Sequence, residues 1–365
     1  MGKKILVMRY RFIGDTLLTV PFLRNLRDAY PDAQIDMLVG PVSGEIIEKC
    51  PYVDNFICFD TTKKHRYENS GKAGEQEKKN FWYYVKLLKE QKYDKAYILK
   101  RSFSSAFLAF AAGIKERVGF DTEMRGFLLT KRVPYIDDRH EIECFLDVLR
   151  KDGIEPKDSY LENWVEEKEL ARVKQVMKEN LLDPDNGLTK VIVHATSGNR
   201  KKEWHKDRWA QIIQWLSDER NVQVIFNGTK NDSKTYEEIL SHLEDGGASL
   251  KVQPVNLCGK FSLRETLAFT KLCDLIVGCD SGNLHIAASV ETPVIGIYGP
   301  MNTEKWRAYS SDAVVIKTEL PCQPCGLKSP CQRDYRCIND ITVERVRDEI
   351  ESKLNSFEAA KAVIS

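Results

Sequence analysis

The sequence predicts an α/β fold with two domains, each built around a doubly wound parallel sheet. Short apolar runs alternate with amphipathic stretches along both halves of the chain, as expected when helices connect parallel strands by crossovers. In the second half these apolar runs are nearly continuous, which is typical of strands buried on both faces. The length of 365 residues exceeds what one core usually supports and suits two domains of roughly 150–180 residues.

The first half predicts five strands with helices between them. A helix after the first strand is indicated by Leu17, Val20, Leu23 and Leu26, whose spacing places them near one face. The predicted strands are Lys4–Met8, Ile35–Val39, Asn55–Phe59, Ala96–Leu99 and Arg117–Gly119. The predicted helices are Asp15–Ala29, Phe81–Glu90, Ser104–Ala112 and Arg139–Lys151.

The second half repeats this alternation. Its predicted strands are Val191–Val193, Val222–Phe226, Leu275–Val277 and Val294–Ile297, and its predicted helices are Arg208–Asp218, Thr235–Leu243, Ser262–Leu272 and Ser281–Ala288. The boundary is expected within Glu155–Leu188, which contains a proline turn, a charged helix and a polar loop. We therefore expect one domain over 1–170, a second over 171–340 and a final helix over 341–365.

Composition excludes several classes of protein. The formal charge of +1 argues against a general nucleic-acid binder, and the 42% hydrophobic content argues against a disordered chain. The N-terminus lacks the apolar region of a signal peptide, and the apolar stretches are too short to span a bilayer. We expect a cytoplasmic protein.

A Gly-Asp pair follows the first strand. Ligands of open parallel sheets bind where strands end and helices begin. Gly14 permits a tight turn there, and Asp15 lies where the helix is expected to start. Two interpretations stay open: Asp15 caps the helix, which contributes roughly 1 kcal/mol, or its carboxylate accepts a proton from a substrate hydroxyl.

Two strand ends in the second half carry residues suited to an anion. Ser281 and Gly282 open a helix with little side-chain bulk over its free N–H groups, and the helix dipole favours phosphate there. The stretch continues with Asn283 and His285, and Asp280 precedes it. After another strand, Thr196, Ser197 and Lys202 offer the hydroxyls and the cation that bind a diphosphate. The alternatives are a helix cap, a buried histidine and an ordinary polar loop.

Several familiar motifs are missing from the sequence. It contains no G-x-G-x-x-G after a strand, no G-x-x-x-x-G-K-[ST] and no G-x-S-x-G, which argues against a nicotinamide enzyme, a P-loop enzyme and a nucleophile-elbow hydrolase. Asp183 and Asp185 have the D-x-D spacing of metal-dependent sugar transfer, but they fit a turn better. Cys322, Cys325, Cys331 and Cys337 form either a structural zinc site or a reduced, thiol-rich loop.

Together these segments resemble glycosyltransferase family 9, the ADP-heptose:lipopolysaccharide heptosyltransferases, over almost the whole chain. The similar stretches are Lys4–Arg9, Ile13–Thr16, Lys100–Ser105, Gly119–Asp121 and His194–Ser197, and the most specific are Asp280–Ala288 and Thr292–Pro300. The resemblance implies a GT-B fold, in which two Rossmann-like domains face a cleft. The first domain would bind the acceptor and the second the nucleotide-sugar, with the final helix crossing back to the first.

The resemblance also implies inverting, metal-independent transfer of a heptose from ADP-heptose to the inner core of lipopolysaccharide, with no cofactor. By position Asp15 would be the general base, and Thr196, Ser197 and Lys202 would hold the diphosphate. Phe261 would neighbour the adenine, and the donor site would be lined by Asp280, Ser281, Gly282, Asn283 and His285. The acidic residue that binds ribose in the family falls near Lys230, with Asp232 two places on.

The implied acceptor is an anionic glycolipid at the inner membrane leaflet, so the protein would be cytoplasmic and peripheral to that membrane. Candidates for its anionic groups are Arg101, Arg125, Lys131, Arg132 and the segment Lys63–Lys79. Three other functions stay open: a related transferase with another nucleotide-sugar, a nucleotide-sugar epimerase or hydrolase, and a non-catalytic nucleotide-binding module.

Overall fold

The computed structural model describes residues 2–60, 79–245 and 250–364, and the chain divides into two compact units, Met1–Trp164 and Val165–Ser365. The division falls inside the predicted boundary segment. Among the described residues, no helix has the length and apolarity needed to cross a membrane.

The first unit contains a six-stranded parallel sheet in the order β3-β2-β1-β4-β5-β6. Its strands are β1 Lys4–Met8, β2 Gln34–Val39, β3 Asn55–Cys58, β4 Lys95–Ile98, β5 Glu116–Phe120 and β6 Lys131–Val133. Its helices are α1 Ile13–Leu17, α2 Val20–Ala29, α3 Pro41–Glu45, α4 Phe81–Gln91, α5 Phe103–Ala111 and α6 Glu141–Lys151, with a 3₁₀ turn at Gly126–Leu128.

The second unit repeats this order as β9-β8-β7-β10-β11-β12. Its strands are β7 Lys190–His194, β8 Gln223–Phe226, β9 Val255–Asn256, β10 Leu275–Cys279, β11 Val294–Ile297 and β12 Ala313–Ile316. Its helices are α7 Glu167–Glu179, α8 Lys206–Asp218, α9 Ser233–Asp245, α10 Leu263–Lys271, α11 Gly282–Ser289, α12 Thr303–Trp306, α13 Arg336–Asn339 and α14 Val343–Ile364.

In each unit the chain order reverses at the centre of the sheet. The reversal lies between β1 and β4 in the first sheet and between β7 and β10 in the second. Ligands of doubly wound sheets bind beside such a reversal, at the carboxyl ends of the strands. The segments that follow these four strands are therefore candidate ligand-binding sites.

The predicted helix over Asp15–Ala29 is two helices. The break falls at Leu18 and Thr19, where the Thr19 hydroxyl donates to the carbonyl oxygen of Thr16 at 2.6 Å. Pro21 then lies in the first turn of α2, where a missing N–H costs no intrahelical hydrogen bond. The break leaves α1 as a five-residue helix that carries Asp15.

The final helix packs within the second unit. Val346, Ile350 and Leu354 of α14 are buried in the same core as Trp215 of α8. Arg347 also pairs with Glu219 at the end of α8. The predicted crossing of this helix to the first unit stays a prediction.

Candidate active site

Asp15 lies inside α1 and does not cap it. The N-cap residue is Phe12, whose φ of 58° lies in the left-handed region, and the N-cap makes no side-chain hydrogen bond. The Asp15 carboxylate pairs with Arg9, with 2.5 Å between Nη2 and Oδ2. The capping interpretation is therefore wrong, and the carboxylate oxygens are not used to hold the helix end.

Burial and neighbouring charges set the proton affinity of Asp15. Its side chain is 16% exposed, and burial is the main cause that raises the pKa of its carboxyl group. Glu141 also raises this pKa, whereas Arg9, Lys100 and Arg101 oppose the rise. A carboxylate whose pKa is raised is a stronger base than an exposed one.

Glu141 is a charged neighbour that sequence reasoning did not find. It is fully buried in α6, and its Oε1 lies 3.9 Å from the Arg9 guanidinium that pairs with Asp15. The Tyr135 hydroxyl donates to Glu141 Oε2 at 2.5 Å, and the Arg101 guanidinium lies 4.0 Å from the centre of the Tyr135 ring. Only the folded chain brings α6 under the β1–α1 loop, so no local sequence signal marks this residue.

A cavity of about 540 Å³ opens at the carboxyl ends of β1, β4 and β5. Its lining residues are Tyr10, Arg11, Phe59, Phe81, Lys100, Arg101, Ser102, Ser104, Thr122 and Glu123. Burial and the charge of Arg9 lower the pKa of Lys100 to about 8. Three cations and several hydroxyl groups suit an anionic, hydroxylated ligand.

Arg101 and Arg125 have different positions. Arg101 lines this cavity, whereas Arg125 is fully buried beside it. The Arg125 guanidinium donates to the carbonyl oxygens of Lys100, of Ser102 at 2.9 Å and of Phe120 at 2.8 Å. The structure therefore does not support the predicted contact of Arg125 with an acceptor; Arg125 holds the loop that carries Arg101.

The other predicted cations of the first unit add little to this cavity. Lys131 pairs with Asp152 at 2.6 Å, and Arg132 is exposed next to it on β6. Neither residue lines the cavity. The predicted segment Lys63–Lys79 lies outside the described residues except for Lys79.

In the second unit, the N-terminus of α11 forms a polar cradle beside the reversal between β7 and β10. Ser281 is the N-cap, but its hydroxyl makes no cap bond. Ser281 Oγ and His285 Nδ1 are buried without a hydrogen-bond partner in the described part of the chain. Burial and the charge of Lys202 lower the pKa of His285 to about 4, so its ring is neutral at neutral pH. Unpaired buried polar atoms at a helix N-terminus indicate a polar or anionic ligand.

The loop after β7 completes the cradle. The Ser197 hydroxyl donates to the carbonyl oxygen of Asp280 at 2.8 Å, and Lys202 Nζ lies 3.1 Å from Asp280 Oδ2. Asp280 therefore orients Lys202, whose side chain is 17% exposed. Gly278 permits this approach of the two strands, because a Cβ there would lie 2.8 Å from His194.

The remaining predicted donor residues lie around these two loops. Thr196 is buried directly after β7, and the Asn283 amide contacts His194 Nε2 at 3.0 Å. Phe261 is half-buried and stacks on Phe269, with 5.0 Å between ring centres. Asp232 accepts hydrogen bonds from the backbone and the hydroxyl of Thr229, so its carboxylate caps a 3₁₀ turn that contains Lys230.

The sequence model of glycosyltransferase family 9 (heptosyltransferase) matches residues 82–335, more than half of the chain. The chain belongs to glycosyltransferase family 9. It is a glycosyltransferase, as the resemblance predicted, and the predicted family membership is confirmed.

Among curated relatives of this family 9 chain, lipopolysaccharide heptosyltransferase 2 of Salmonella typhimurium is 26% identical over 360 residues, covering 96% of this chain and 99% of the relative. Lipooligosaccharide heptosyltransferase 2 of Haemophilus influenzae is 29% identical, covering 86% and 88% of the two chains.

Solved structures agree on the fold. The structure of E. coli ADP-heptose lps heptosyltransferase II matches with a TM-score of 0.75 at 24% identity, over 97% of this chain and 99% of that one. A glycosyl transferase family 9 structure from Veillonella parvula matches with a TM-score of 0.81 at 20% identity, over 97% and 98% of the two chains. The predicted GT-B fold class of this glycosyltransferase is confirmed.

The cysteine-rich segment of this family 9 chain contacts the loop after β7, because Lys201 Nζ lies 5.7 Å from the centre of the Tyr335 ring. Cys322, Cys325, Cys331 and Cys337 line a common small cavity, and all four are free thiols. Within residues 2–60, 79–245 and 250–364, no group of three or more histidine, cysteine or acidic side chains is placed to hold a metal ion. The zinc site and the reduced, thiol-rich loop both stay predictions for these cysteines. Asp183 and Asp185 form the predicted turn, in which Asp185 N donates to Asp183 Oδ1 at 2.9 Å.

Proposed function

We propose that this glycosyltransferase moves a heptose from ADP-heptose to the inner core of lipopolysaccharide with inversion at the anomeric carbon. The names of its relatives support both substrates: several are lipopolysaccharide or lipooligosaccharide heptosyltransferases, and one solved relative is an ADP-heptose enzyme. The observation that carries the mechanism is Asp15, a nearly buried carboxylate with a raised pKa on the short helix that follows a central strand.

In this proposal Asp15 is the general base. It accepts the proton of the attacking acceptor hydroxyl while the oxygen forms a bond to the anomeric carbon. Arg9 holds the carboxylate through a 2.5 Å contact and fixes its direction. Proton transfer by a positioned group typically contributes about 10²–10⁴-fold to the rate.

The cradle at α11 stabilises the leaving group in this proposal. Breaking the bond to the sugar leaves ADP with an added negative charge on its diphosphate. Lys202, the N–H groups at the start of α11 and the unpaired Ser281 hydroxyl can all contact that charge. These groups provide the electrostatic stabilisation that transfer requires, so we propose that no metal or other cofactor takes part.

The cavity of the first unit takes the acceptor in this proposal. Arg11, Lys100 and Arg101 face its interior and would bind the acidic groups of the inner core. Such an acceptor is anchored in a lipid bilayer, so we propose that the enzyme works at the cytoplasmic face of the inner membrane.

The test is turnover by the purified protein. The donors are ADP-heptose, a UDP-hexose and a GDP-hexose, and the acceptor is inner-core glycolipid that lacks heptose. We expect turnover with ADP-heptose that depends on acceptor and an inverted product. Faster turnover of another donor, or donor consumption without acceptor, would support the transferase or epimerase alternatives instead.

A further inference from the structure

A row of aromatic rings leads from the acceptor cavity to the surface of the first unit. It consists of Phe81, Trp82, Phe103, Phe107 and Phe127, here called the aromatic row. We propose that the aromatic row inserts into the interfacial region of an anionic lipid bilayer and so places the cavity where a lipid-anchored acceptor can enter it. The identity of that acceptor rests on the proposed function, whereas the binding of a bilayer does not.

The rings contact one another in sequence. Phe81 lies 5.7 Å from Trp82 and 5.9 Å from Phe107, measured between ring centres. Phe107 is followed by Phe103 at 6.2 Å, and Phe103 by Phe127 at 6.2 Å. Three of these rings are strongly exposed: Trp82 by 63%, Phe103 by 41% and Phe127 by 68%. Single exposed apolar residues are common, but a connected group of exposed rings marks an interaction surface.

Helix α5 shows that this exposure is built into the sequence. Phe103, Phe107 and Phe110 recur at helical spacing on its outer side, where a surface helix normally carries polar residues. The opposite side of α5 is buried through Ala106, with Ala109 beside it. α5 therefore carries apolar side chains on its outer side as well as on its buried side, and within the described residues Phe103 and Phe110 stay exposed there.

The residues around the row favour a bilayer interface over a dry protein contact. Tryptophan is enriched at the boundary between lipid headgroups and acyl chains, and phenylalanine is common on the apolar face of helices that lie there. Cations lie on or beside the two helices that carry most of the row, α4 and α5. Lys79 Nζ is 5.6 Å from the centre of the Tyr83 ring on α4, and the Arg117 guanidinium is 5.3 Å from that of Phe110 on α5. Lys86 on α4 is 80% exposed and lies 3.9 Å from Glu90. Basic side chains beside an apolar surface bind the anionic headgroups of a membrane.

The aromatic row is continuous with the cavity, so binding of a bilayer to the row would bring a lipid-anchored acceptor to the cavity. Phe81 belongs to the row and also lines the cavity, next to Lys100 and Arg101. A membrane-anchored glycolipid could thus keep its acyl chains in the bilayer against the rings while its acidic sugars reach the cations. A second copy of this chain would bury the rings but would leave the cavity cations without an anionic partner.

The first arm of the test measures bilayer binding without substrate. The variant W82S/F127S is compared with wild type by co-sedimentation with vesicles of phosphatidylethanolamine and phosphatidylglycerol. Both side chains are exposed, so we expect an unchanged thermal midpoint and vesicle binding weakened by about tenfold or more. The control L181S removes a side chain that is 95% exposed in the second unit, and it should bind as wild type does.

The second arm measures transfer to two forms of the acceptor. With acyl-bearing acceptor in the same vesicles, W82S/F127S should lose about tenfold in kcat/KM, and with deacylated acceptor it should match wild type. Absence of vesicle binding by wild type, equal binding by the variant, or self-association that only wild type shows would overturn the proposal. Equal loss on both acceptors would make the row part of the sugar site and would also overturn it. If wild type transfers no heptose to either acceptor, the proposed function fails, and the first arm still decides the membrane proposal.

Discussion

The two units have the same strand order and yet present opposite chemistry at the reversal of their sheets. In the first unit, α1 has five residues, begins after Phe12 and carries the Asp15 carboxylate. In the second, α11 has eight residues, begins after Ser281 and offers the N–H groups of its first turn, and the segment after β7 offers Lys202. The topology therefore fixes where a ligand binds, whereas the side chains decide whether the site handles a proton or an anion.

Burial acts on both sites and favours the neutral form of each titratable group. It raises the pKa of Asp15 and lowers that of His285 to about 4. At neutral pH the Asp15 carboxylate consequently has an increased affinity for a proton. His285 stays uncharged, so Lys202 supplies the positive charge of the cradle to the proposed diphosphate. In the proposed mechanism, the same physical cause prepares one site for proton transfer and the other for charge stabilisation.

The largest effect is expected for Asp15→Asn, which removes the base and keeps the shape of the side chain. The amide accepts no proton at neutral pH, so kcat should fall by about 10³-fold while the Kd for ADP stays unchanged. Steady-state kinetics and calorimetry of ADP binding measure the two quantities. Asp28→Asn is the control, because Asp28 pairs with Lys157 on the surface of the same unit. An active Asp15→Asn protein would contradict the assignment of the base.

The next largest effect is expected for Lys202→Met, which tests the cradle of the second unit. It removes the cation of the cradle, so kcat should fall by about 10²-fold and ADP should bind more weakly. Lys201→Met is the matched control, since Lys201 is exposed on the neighbouring position of the same loop. Equal kinetics for the two variants would show that Lys202 does not contact the diphosphate.

Smaller effects are expected for two arginines of the first unit. Arg101 is proposed to contact the acceptor, whereas Arg125 supports the fold. Arg101→Gln should raise the KM for acceptor by about tenfold through loss of a charge-assisted hydrogen bond. Arg125→Gln should instead lower the free energy of unfolding by about 3 kcal/mol, because it leaves buried carbonyl oxygens unpaired. Acceptor kinetics and thermal unfolding distinguish the two results. A stable Arg125→Gln protein with a raised KM for acceptor would instead support direct contact between Arg125 and the acceptor.

The central strands of both sheets were predictable because they are continuous apolar runs. Lys4–Met8 and Val294–Ile297 have the predicted bounds. The edge strands β6, β9 and β12 were missed. The three residues of β6 and the two of β9 are too few to show an apolar pattern, so they resemble a loop in sequence. β12 is the apolar run AVVI, so it was missed although its sequence carries the signal.

The site residues were predictable where they follow a strand in the chain. Asp15, Lys202 and Ser281 all follow central strands in the chain, and the structure places them near the reversals of the two sheets. Glu141 and Arg125 belong to the surroundings of Asp15 and of the acceptor cavity through contacts distant in sequence. The sequence shows that such residues are charged, but only the fold shows what they contact.

A pH effect on the first site is expected from Lys100. Its pKa is lowered to about 8 by burial and by Arg9, so it loses its proton as the pH rises through that value. The cavity then holds one cation fewer, and kcat/KM for acceptor should fall a few-fold on the alkaline side. Lys100→Arg keeps the charge at all relevant pH values, so this alkaline fall in kcat/KM should be smaller or absent in the variant. An unchanged fall in the variant would assign the titration to another group.

The smallest effect is expected for Glu141→Gln, which tests how the first site obtains a basic carboxylate. The groups that face Asp15 are Arg9 after β1, Lys100 and Arg101 after β4, and Glu141 on α6. Glu141 raises the pKa of Asp15, whereas Arg9 lowers it. Removing the negative charge of Glu141 should therefore lower the pKa of Asp15.

Because the base must be deprotonated, the activity of wild type falls as the pH drops through the raised pKa of Asp15. In Glu141→Gln this acid limb should move to lower pH by about half a unit to one unit, with kcat at neutral pH changed by no more than about threefold. The pH profile of kcat/KM measures the shift. Glu143→Gln is the control on the same helix, since Glu143 pairs with Arg150 at the surface. A limb that stays in place in Glu141→Gln while the protein loses stability would show that Glu141 supports only the fold. A shift without loss of stability would show that the buried pair of Arg9 and Glu141 sets the basicity of Asp15.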